Sequence, residues 1–253
     1  MKFVIPSYQR SQQLIKKTLT YLENQGVANE DVFIFVRVDD DDLQNYYLLK
    51  DKGYNVIVLI DIKGIGRTHN AITEHFEEDE FIVEIDDDMT GLITNTGEKV
   101  EFLKCCENMK NKMFEVGASY GGTYQCDNKM FMSQCKEYTY DLRYMLGCLR
   151  FRYVKKDIIL ETNYAEDMEN CILHYRRDSV IVKNNWIAPK TANYSKGGCC
   201  GDGRNIESEK IDKEFLANKY PQCCKLFQRK SGVWDLRLKF KGHNKLVTES
   251  VSE

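Results

Sequence analysis

Apolar and polar residues follow one another in regular blocks along residues 1–90. Short apolar runs rich in β-branched and aromatic residues predict strands that are buried on both faces, and they lie at 2–5, 32–38, 55–60 and 80–85. The stretches between them carry apolar residues at helical spacing, which predicts helices at 11–24, 43–53 and 67–76. The order β-α-β-α-β-α-β predicts a parallel sheet with right-handed crossovers, in the doubly wound style of α/β proteins.

The rest of the chain has a more mixed pattern. Its predicted elements are helices at 100–116 and 207–219, a helix and then a strand within 161–190, short aromatic-rich segments over 117–160, and a strand at 234–240. No repeat and no low-complexity linker interrupts the chain. We therefore predict one domain over 1–253, with a Rossmann-like half at 1–95 and a mixed α+β half at 96–253.

Composition narrows the class of protein without naming an activity. The 253 residues are 42% hydrophobic, which is enough to build a proper core, and no run approaches the roughly 18 apolar residues of a membrane span. The first residues start a strand and lack the apolar stretch of a signal peptide, so we expect a cytoplasmic protein that does not enter a membrane. A net charge of −3 gives no general electrostatic attraction to nucleic acid.

The 10 cysteines do not indicate a disulfide framework. Several are adjacent in sequence, and neighbouring cysteines rarely bridge each other; these pairs are Cys105/Cys106, Cys199/Cys200 and Cys223/Cys224. Since the chain shows no secretory signal, we expect reduced thiols. The C-x₂₋₄-C spacing of a structural zinc site is missing from the sequence.

Polar segments follow each of the first four predicted strands. In doubly wound sheets ligands bind beyond the carboxyl ends of the strands, so we expect these segments to meet at one edge of the sheet. They are PSYQR (6–10), DDDD (39–42), KGIGR (63–67) and DDDM (86–89). The pattern therefore directs the search for a site to this edge.

Asp86, Asp87 and Asp88 stand directly behind the fourth predicted strand. Such a trio is either a solvated acidic turn or a site for a hard divalent cation, because Mg²⁺ and Mn²⁺ prefer carboxylate oxygens as ligands. Strand alternation lets Asp86 and Asp88 share one direction while Asp87 faces away. The position at the ligand-binding edge of the sheet favours the metal site.

The segment KGIGRTHN (63–70) suggests a contact with an anion. Gly64 and Gly66 permit a close approach of the backbone, and Arg67 at the start of a helix could bind phosphate oxygens with its planar guanidinium. The alternative is a tight turn followed by a surface arginine. Two phosphate-binding templates do not fit, because His69 stands where Gly-x-Gly-x-x-Gly requires glycine and no Lys-Ser/Thr pair follows.

The segment AEDMEN (165–170) places Glu166 and Asp167 at the start of a predicted helix. Carboxylates are common in the first turn of a helix, where they interact favourably with the helix dipole. The alternative is that one of them acts as a general base and takes a proton from an acceptor hydroxyl. The spacing alone leaves both interpretations open.

Taken in order, six segments resemble the motifs of GT-A-type glycosyltransferases: VIPSYQR, FVRVDDDD, KGIGRTHN, VEIDDDM, YAEDMEN and GGCCGDGR. The chain more closely resembles the glycosyltransferases associated with TET/JBP thymine and cytosine dioxygenases of phages, giant viruses and some protists. That family is implicated in sugar transfer to hydroxymethylpyrimidines in DNA. The resemblance spans roughly residues 3–205. It implies a GT-A fold and a metal-dependent, inverting transfer of a sugar to modified DNA. The donor would be a nucleotide sugar, UDP-glucose or similar. The protein would work in the host cytoplasm if it is virus- or phage-encoded.

The resemblance also implies roles for individual residues. Residues 1–95 would form the half that binds the nucleotide sugar, through Pro6, Ser7, Tyr8, Arg10, Asp39, Gly64, Arg67, Asn70, Asp86 and Asp87. Asp88 would hold Mn²⁺ or Mg²⁺, and His243 is either a further metal ligand or an ordinary surface histidine. Residues 96–253 would form the acceptor half, with Asp167 as the catalytic base and Glu166 beside it. Candidates for stacking on a flipped-out base, or else for core packing, are Tyr120, Tyr124, Phe131 and Trp186.

Three other functions fit parts of the same pattern. The acceptor could be a glycan, a protein or a small molecule. Both the acidic net charge and His69 depart from the pattern that the DNA-modifying family leads us to expect, and the charge bears on the acceptor. A sugar-nucleotide-forming nucleotidyltransferase would need a glycine-rich loop directly after the first strand, and PSYQR has no glycine. A non-catalytic nucleotide- or DNA-binding module would not need Asp167.

Overall fold

A central sheet of eight strands organises the protein, in a computed structural model that describes residues 1–191 and 204–239. The strands in this part of the chain are β1 (Lys2–Pro6), β2 (Val32–Arg37), β3 (Asn55–Leu59), β4 (Phe81–Ile85), β5 (Gly91–Thr94), β6 (Tyr120–Thr123), β7 (Tyr138–Thr139), β8 (Leu149–Tyr153), β9 (Val182–Asn184), β10 (Ile187–Lys190), β11 (Cys224–Gln228) and β12 (Trp234–Leu238). The helices are α1 (Ser11–Leu14), α2 (Thr20–Asn24), α3 (Leu43–Lys50), α4 (Ile65–His75), α5 (Phe102–Val116), α6 (Lys129–Ser133), α7 (Glu166–Asp178) and α8 (Ile206–Lys219).

The first half of the sheet has the predicted parallel arrangement. The full strand order is β3-β2-β1-β4-β8-β6-β9-β7. β1 pairs in parallel with β2 and β4, and β2 pairs in parallel with β3. β8 then runs antiparallel to both β4 and β6, a reversal that the hydrophobic pattern did not predict. Two small antiparallel pairs lie outside this sheet, β5 with β10 and β11 with β12.

Apolar side chains pack on both faces of the central strands, which confirms the predicted α/β class. On one face Phe3 of β1 is buried in a cluster with Phe102 of α5. On the other face Val4 of β1 packs with Ile72 of α4. A third cluster, which includes Ile172, joins α7 and α8 to the β11–β12 pair. Through Tyr120 of β6, that cluster also packs α7 and α8 against the central sheet.

Most predicted elements are present, with boundaries that differ by a few residues. α4 begins at Ile65 instead of residue 67, and α3 ends at Lys50 instead of residue 53. The helix predicted over 11–24 contains a π-helical turn, Ile15–Leu19, between α1 and α2. Among the described residues, the cysteines carry free thiols. No helix in this part of the chain has both the length and the hydropathy needed to cross a bilayer.

Candidate active site

A cavity of about 870 Å³ lies at the predicted edge of the sheet. Its walls come from the segments after β1 and β4, the start of α4, the segment before β8, the first turns of α7 and α8, and the β11–β12 pair. The predicted site residues that line it are Pro6, Ser7, Tyr8, Arg10, Gly64, Asp86, Asp87, Asp88, Glu166 and Asp167. Two groups of carboxylates from distant parts of the chain therefore face one space.

Asp87 is bound by the protein itself. Ser7 Oγ donates a hydrogen bond to Asp87 Oδ2 at 2.7 Å, and Arg10 Nη1 lies 3.2 Å from Asp87 Oδ1. Ser7 Oγ also lies 2.8 Å from the hydroxyl of Tyr46. These contacts turn Asp87 toward the segment after β1. Asp87 therefore braces the two strand ends against each other.

The negative charges of Asp88 and Asp86 are less completely compensated than that of Asp87. Asp88 is 5% exposed, and its Oδ1 has no hydrogen-bond partner among the described residues. Burial, together with the charges of Asp88 and Asp87, raises the pKa of Asp86 to about 6. Like charges at close range oppose ionisation, so Asp86 is protonated more readily than an exposed aspartate.

The donor chemistry at Asp88 fits a hard divalent cation. A buried carboxylate oxygen without a partner is the kind of ligand that Mg²⁺ and Mn²⁺ bind. Among residues 1–191 and 204–239, no group of three or more His, Cys, Asp or Glu side chains is arranged to hold a metal by itself. A cation at Asp88 would therefore need further oxygen ligands, and the phosphates of a nucleotide can supply them. His243 lies outside the described residues.

Glu166 and Asp167 reach the cavity from the first turn of α7. The hydroxyl of Tyr144 donates a hydrogen bond to Asp167 Oδ2 at 2.8 Å. Burial and the charge of Asp167 raise the pKa of Glu166 to about 8. Glu166 therefore keeps its proton near neutral pH, and Asp167 is the carboxyl group of the pair that is considered as a base.

The loop in front of α7 is fixed from several sides. Asp212 of α8 accepts hydrogen bonds from the backbone N–H groups of Asn163 and Tyr164, at 2.9 and 2.6 Å. A Cβ on Gly66 would lie 1.8 Å from the carbonyl oxygen of Thr162. Gly66 is therefore needed for close contact between α4 and this loop, not for contact with a ligand. The packing sets the position of Glu166 and Asp167.

A buried ionic cluster lies around Glu84 of β4, two residues before Asp86. It consists of Glu84, His69, Arg150 and Arg152, each at most 2% exposed. Arg152 Nη2 pairs with Glu84 Oε1, while Arg150 Nε and His69 Nδ1 lie 3.3 and 3.2 Å from Glu84 Oε2. Although burial works to raise it, the charge of Arg152 and the contact with His69 hold the pKa of Glu84 well below its usual range.

His69 takes part in this cluster as a neutral ring. Burial and the charge of Arg150 lower the pKa of His69 to about 4. Its Nε2 then accepts from Arg150 Nη2 at 2.7 Å, and its Nδ1–H faces Glu84. The unexpected histidine in KGIGRTHN is thus part of the folded core. Arg150 also lines the cavity, and its Nη1 has no hydrogen-bond partner in the described part of the chain.

The structure places three predicted donor-binding residues elsewhere. Arg67 and Asn70 line a separate, open cleft. The side chain of Asn70 exchanges two hydrogen bonds of 2.8 Å with the backbone of Leu160, so it braces the chain there. Asp39 is not among the residues that line the main cavity, and it instead forms a two-bond pair with Arg37 at 2.8 and 2.6 Å.

Several cavity residues were not singled out from the sequence. They are Arg37, Tyr144, Arg150 and Arg204. Arg37 and Arg204 do belong to segments with recognisable motifs, FVRVDDDD and GGCCGDGR, so their residue type was a usable signal. The ring of Tyr8 lies 4.2 Å from the Arg37 guanidinium, which orders this wall. Tyr144 gave no signal, because its segment has no periodic pattern.

Comparison with solved structures identifies the architecture. Residues 1–349 of TarS from S. aureus, solved with UDP-GlcNAc, match at a TM-score of 0.61 and 16% identity, over 99% of this chain and 72% of that one. The mannosyltransferase PcManGT from Pyrobaculum calidifontis, solved with GDP-Man and Mn²⁺, matches at 0.57 and 9% identity, over 99% and 68% of the two chains. This protein has the GT-A glycosyltransferase fold.

A third match with the GT-A fold extends the comparison. Glucosyl-3-phosphoglycerate synthase from Mycobacterium tuberculosis, solved with Mn²⁺, UDP and glucosyl-3-phosphoglycerate, has a TM-score of 0.53 and 10% identity, over 94% of this chain and 86% of that one. No protein-family profile and no curated protein sequence matches this chain. The structural matches therefore establish the fold, and the activity must be argued from the site.

Proposed function

We propose that the protein is a metal-dependent glycosyltransferase that moves a sugar from a nucleotide sugar, UDP-glucose or similar, to an acceptor hydroxyl. The observation that carries this proposal is that Asp86 and Asp88, behind β4, and Glu166 and Asp167, at the start of α7, face one cavity. One group suits a cation and the diphosphate, and the other suits proton removal. Nucleotide sugars, UDP and Mn²⁺ in the solved structures of this fold support the donor class.

In the proposed reaction some residues act on the leaving group and others act on the acceptor. The acceptor oxygen forms a bond to the anomeric carbon as the bond from that carbon to the diphosphate oxygen breaks. The proton of the acceptor hydroxyl goes to Asp167, which acts as general base. Attack from the side opposite the diphosphate inverts the anomeric configuration. Glu166, which keeps its proton near neutral pH, lowers the negative charge beside Asp167.

The diphosphate side of the cavity combines a cation site with guanidinium groups. When bound at Asp88, a divalent ion would offset the negative charge that develops on the leaving diphosphate. Arg10 lies next to Asp87, and Arg204 pairs with Glu209 at 2.7 Å, so both are held in ordered positions in the cavity wall. Guanidinium groups bind phosphate oxygens through paired hydrogen bonds. We propose that these two arginines, and not Arg67, bind the diphosphate.

We propose a hydroxymethylated pyrimidine in DNA as the acceptor, on the strength of the motif resemblance alone. Such a base would have to be reached in the major groove or flipped out of the helix. Phe131 and Trp186 are 48% and 38% exposed and could stack on it. Tyr120 could not, because it is fully buried and its ring stacks on His174 at 4.8 Å. Within the described residues, none of these aromatic side chains lines the cavity.

A non-DNA acceptor is the competing proposal. The net charge of −3 gives no general attraction to DNA, and the mycobacterial synthase of this fold was solved with glucosyl-3-phosphoglycerate, a small molecule. A glycan, a protein or a small molecule would therefore also suit the cavity. The third proposal, a non-catalytic nucleotide- or DNA-binding module, gives no reason for a base at the start of α7.

A screen of nucleotide sugars tests all three proposals. Purified protein is mixed with UDP-, GDP- and other nucleotide sugars and Mn²⁺, with and without hydroxymethylcytosine DNA, and nucleotide release and DNA mass are measured. Sugar added to DNA supports the full proposal. Nucleotide release that hydroxymethylated DNA does not stimulate supports a different acceptor. Binding of nucleotides without any release, for every donor, would contradict the assignment as an enzyme.

A further inference from the structure

Tyr144 makes a direct contact with the proposed base. It lines the cavity, and its hydroxyl donates to Asp167 Oδ2 at 2.8 Å. The other oxygen, Asp167 Oδ1, accepts from the backbone N–H of Met168 at 3.0 Å. A carboxylate offers about four acceptor positions, so both oxygens keep room for a further proton. The two contacts fix the rotation of the carboxylate plane without blocking it.

The segment that carries Tyr144 is itself held firmly. Lys183 Nζ donates to the carbonyl oxygen of Tyr144 at 2.8 Å and to Gln125 Oε1 at 2.7 Å. The next residue, Met145, is fully buried against Gly122, where an added Cβ would lie 2.9 Å from the Met145 sulfur. These contacts fix the backbone of Tyr144, and the bond to Asp167 fixes its hydroxyl. Its hydroxyl is therefore a fixed donor and not a mobile surface group.

We propose that Tyr144 is the positioning residue for the base, holding the Asp167 carboxylate in the orientation that receives the proton of the acceptor. This inference rests on the proposed function. A hydrogen bond donated to the charged form of a carboxyl group favours that form. A general base must also lie within hydrogen-bond reach of the proton that it takes, so its orientation affects the rate. Tyr144 serves both needs through its hydrogen bond to Asp167.

Other groups around Asp167 support a donor at this place. Burial and the nearby charge of Asp167 raise the pKa of Tyr144 well above its usual value, so the phenol keeps its proton and remains a donor. The titratable and charged groups that act on Asp167 or its neighbours from the surrounding elements are Glu166, Arg150, Arg204, Tyr120, Cys171 and Lys183. Replacing Tyr144 with Phe removes one hydroxyl and leaves all of these in place.

The first arm of the test does not depend on catalysis. The protein is labelled with ¹³C at the aspartate carboxyl carbons, and the Asp167 signal is identified as the one that Asp167→Asn removes. In Tyr144→Phe we expect its titration midpoint to move upward by about 0.5 to 1 pH unit, the effect of losing one hydrogen bond to a carboxylate. Tyr54→Phe is the matched control, since Tyr54 donates to Glu23 at 2.8 Å far from the cavity.

The second arm measures UDP release from UDP-glucose with Mn²⁺. We expect Tyr144→Phe to lower kcat about tenfold, at the lower end of what general base catalysis contributes, while KM changes less than about twofold. The acidic limb of the kcat profile should move to higher pH in this variant, whereas Tyr54→Phe should match the wild type. In the Asp167→Asn background the Tyr144 change should have no additional effect, because the two residues act as one unit.

The two arms separate this inference from the proposed function. An Asp167 titration midpoint that is the same in Tyr144→Phe and wild type would overturn the role of Tyr144, whatever the activity. If the midpoint moves but the wild type releases no nucleotide from any donor in the screen, the proposed function fails while the hold of Tyr144 on Asp167 is supported. An equal loss of kcat in Tyr54→Phe would mean that the loss in Tyr144→Phe comes from general destabilisation of the protein, which would overturn the positioning role.

Discussion

Glu84 in β4 and the aspartates Asp86 and Asp88 behind it lie near each other in the chain, but their negative charges are balanced in opposite ways. Glu84 faces two arginines and a histidine, and its pKa lies well below the usual range despite burial. Asp86, two residues further along, has a raised pKa because of burial and its aspartate neighbours. Asp88 keeps an oxygen without a partner among the described residues.

We propose that this contrast separates a carboxylate that stabilises the fold from carboxylates that bind a ligand. A buried charge must be paired, because an isolated one is very costly in a medium of low polarity. The protein itself supplies the charged partners of Glu84, whereas Asp88 keeps an unpartnered oxygen among the described residues, which we propose a cation binds. Removing Glu84 should therefore harm folding, and removing the cavity carboxylates should harm activity. Four variants test that division.

The largest effect is expected for Asp167→Asn. The amide keeps the size of the side chain but loses the basic lone pair at neutral pH, so sugar transfer should fall by roughly 10²–10⁴. Donor binding should persist, and both quantities are measured on one preparation by activity assay and calorimetry. Asp157→Asn, at an exposed ion pair with Arg177, is the control. Near-normal transfer by Asp167→Asn would remove it from the mechanism, and a product with retained configuration would contradict inversion.

The next effect is on folding, in Glu84→Gln. This change leaves Arg150 and Arg152 buried without their anion, which should lower the free energy of unfolding by roughly 3–5 kcal/mol. Urea unfolding measures it. Glu78→Gln is the matched control, because Glu78 pairs with Lys155 at 3.4 Å on the surface, where such pairs contribute about 1 kcal/mol or less. Equal losses in the two variants would mean that the cluster does not support the fold.

Asp88→Asn should give the opposite result from Glu84→Gln. Losing the metal ligand should weaken UDP binding in Mn²⁺ by about tenfold, equivalent to about 1.4 kcal/mol, and should remove the difference between binding with and without Mn²⁺. Stability should stay the same or rise, because repulsion with Asp86 is relieved. Calorimetry with UDP and a thermal melt check both parts. Metal-dependent binding that survives in Asp88→Asn would show that the cation lies elsewhere.

The sequence predicted the parts of this site that depend on local order. Apolar runs fix where β1 and β4 end, and a residue just behind a strand lies at the edge of the sheet, so the positions of Ser7 and Asp88 in the cavity wall could be predicted. Glu84 was also accessible in principle, because a lone carboxylate in the apolar run FIVEI needs partners, and LRFRY offers Arg150 and Arg152 at alternate positions.

Other parts depend on contacts that a single sequence does not specify. Arg67 and Thr68 are neighbours on α4, yet Thr68 lines the main cavity and Arg67 the separate cleft, because successive helix residues point about 100° apart. Which face of α4 meets the cavity depends on how the helix packs on the sheet. The antiparallel placement of β8, and hence the contact of Tyr144 with Asp167, depends equally on pairing between distant segments.

The smallest effect is expected for Glu166→Gln, and it depends on pH. The pKa of Glu166 is raised from an ordinary 4.5 to about 8 by burial and by Asp167. A carboxyl group whose pKa is higher in the folded state binds more protons there than in the unfolded state, so its contribution to stability is fully present below about pH 4.5. That contribution is lost as the pH rises through about 8.

Glutamine resembles the protonated acid and cannot ionise, so Glu166→Gln should match the wild type at pH 5 and melt a few degrees higher at pH 9. Thermal melts at the two pH values measure the difference, with Glu207→Gln on the surface of α8 as the control. Glu84→Gln should behave differently from Glu166→Gln, because it should destabilise the protein at both pH values. If Glu166→Gln also lowered the melting temperature at pH 9, Glu166 would belong with Glu84 among the carboxylates that the protein itself balances.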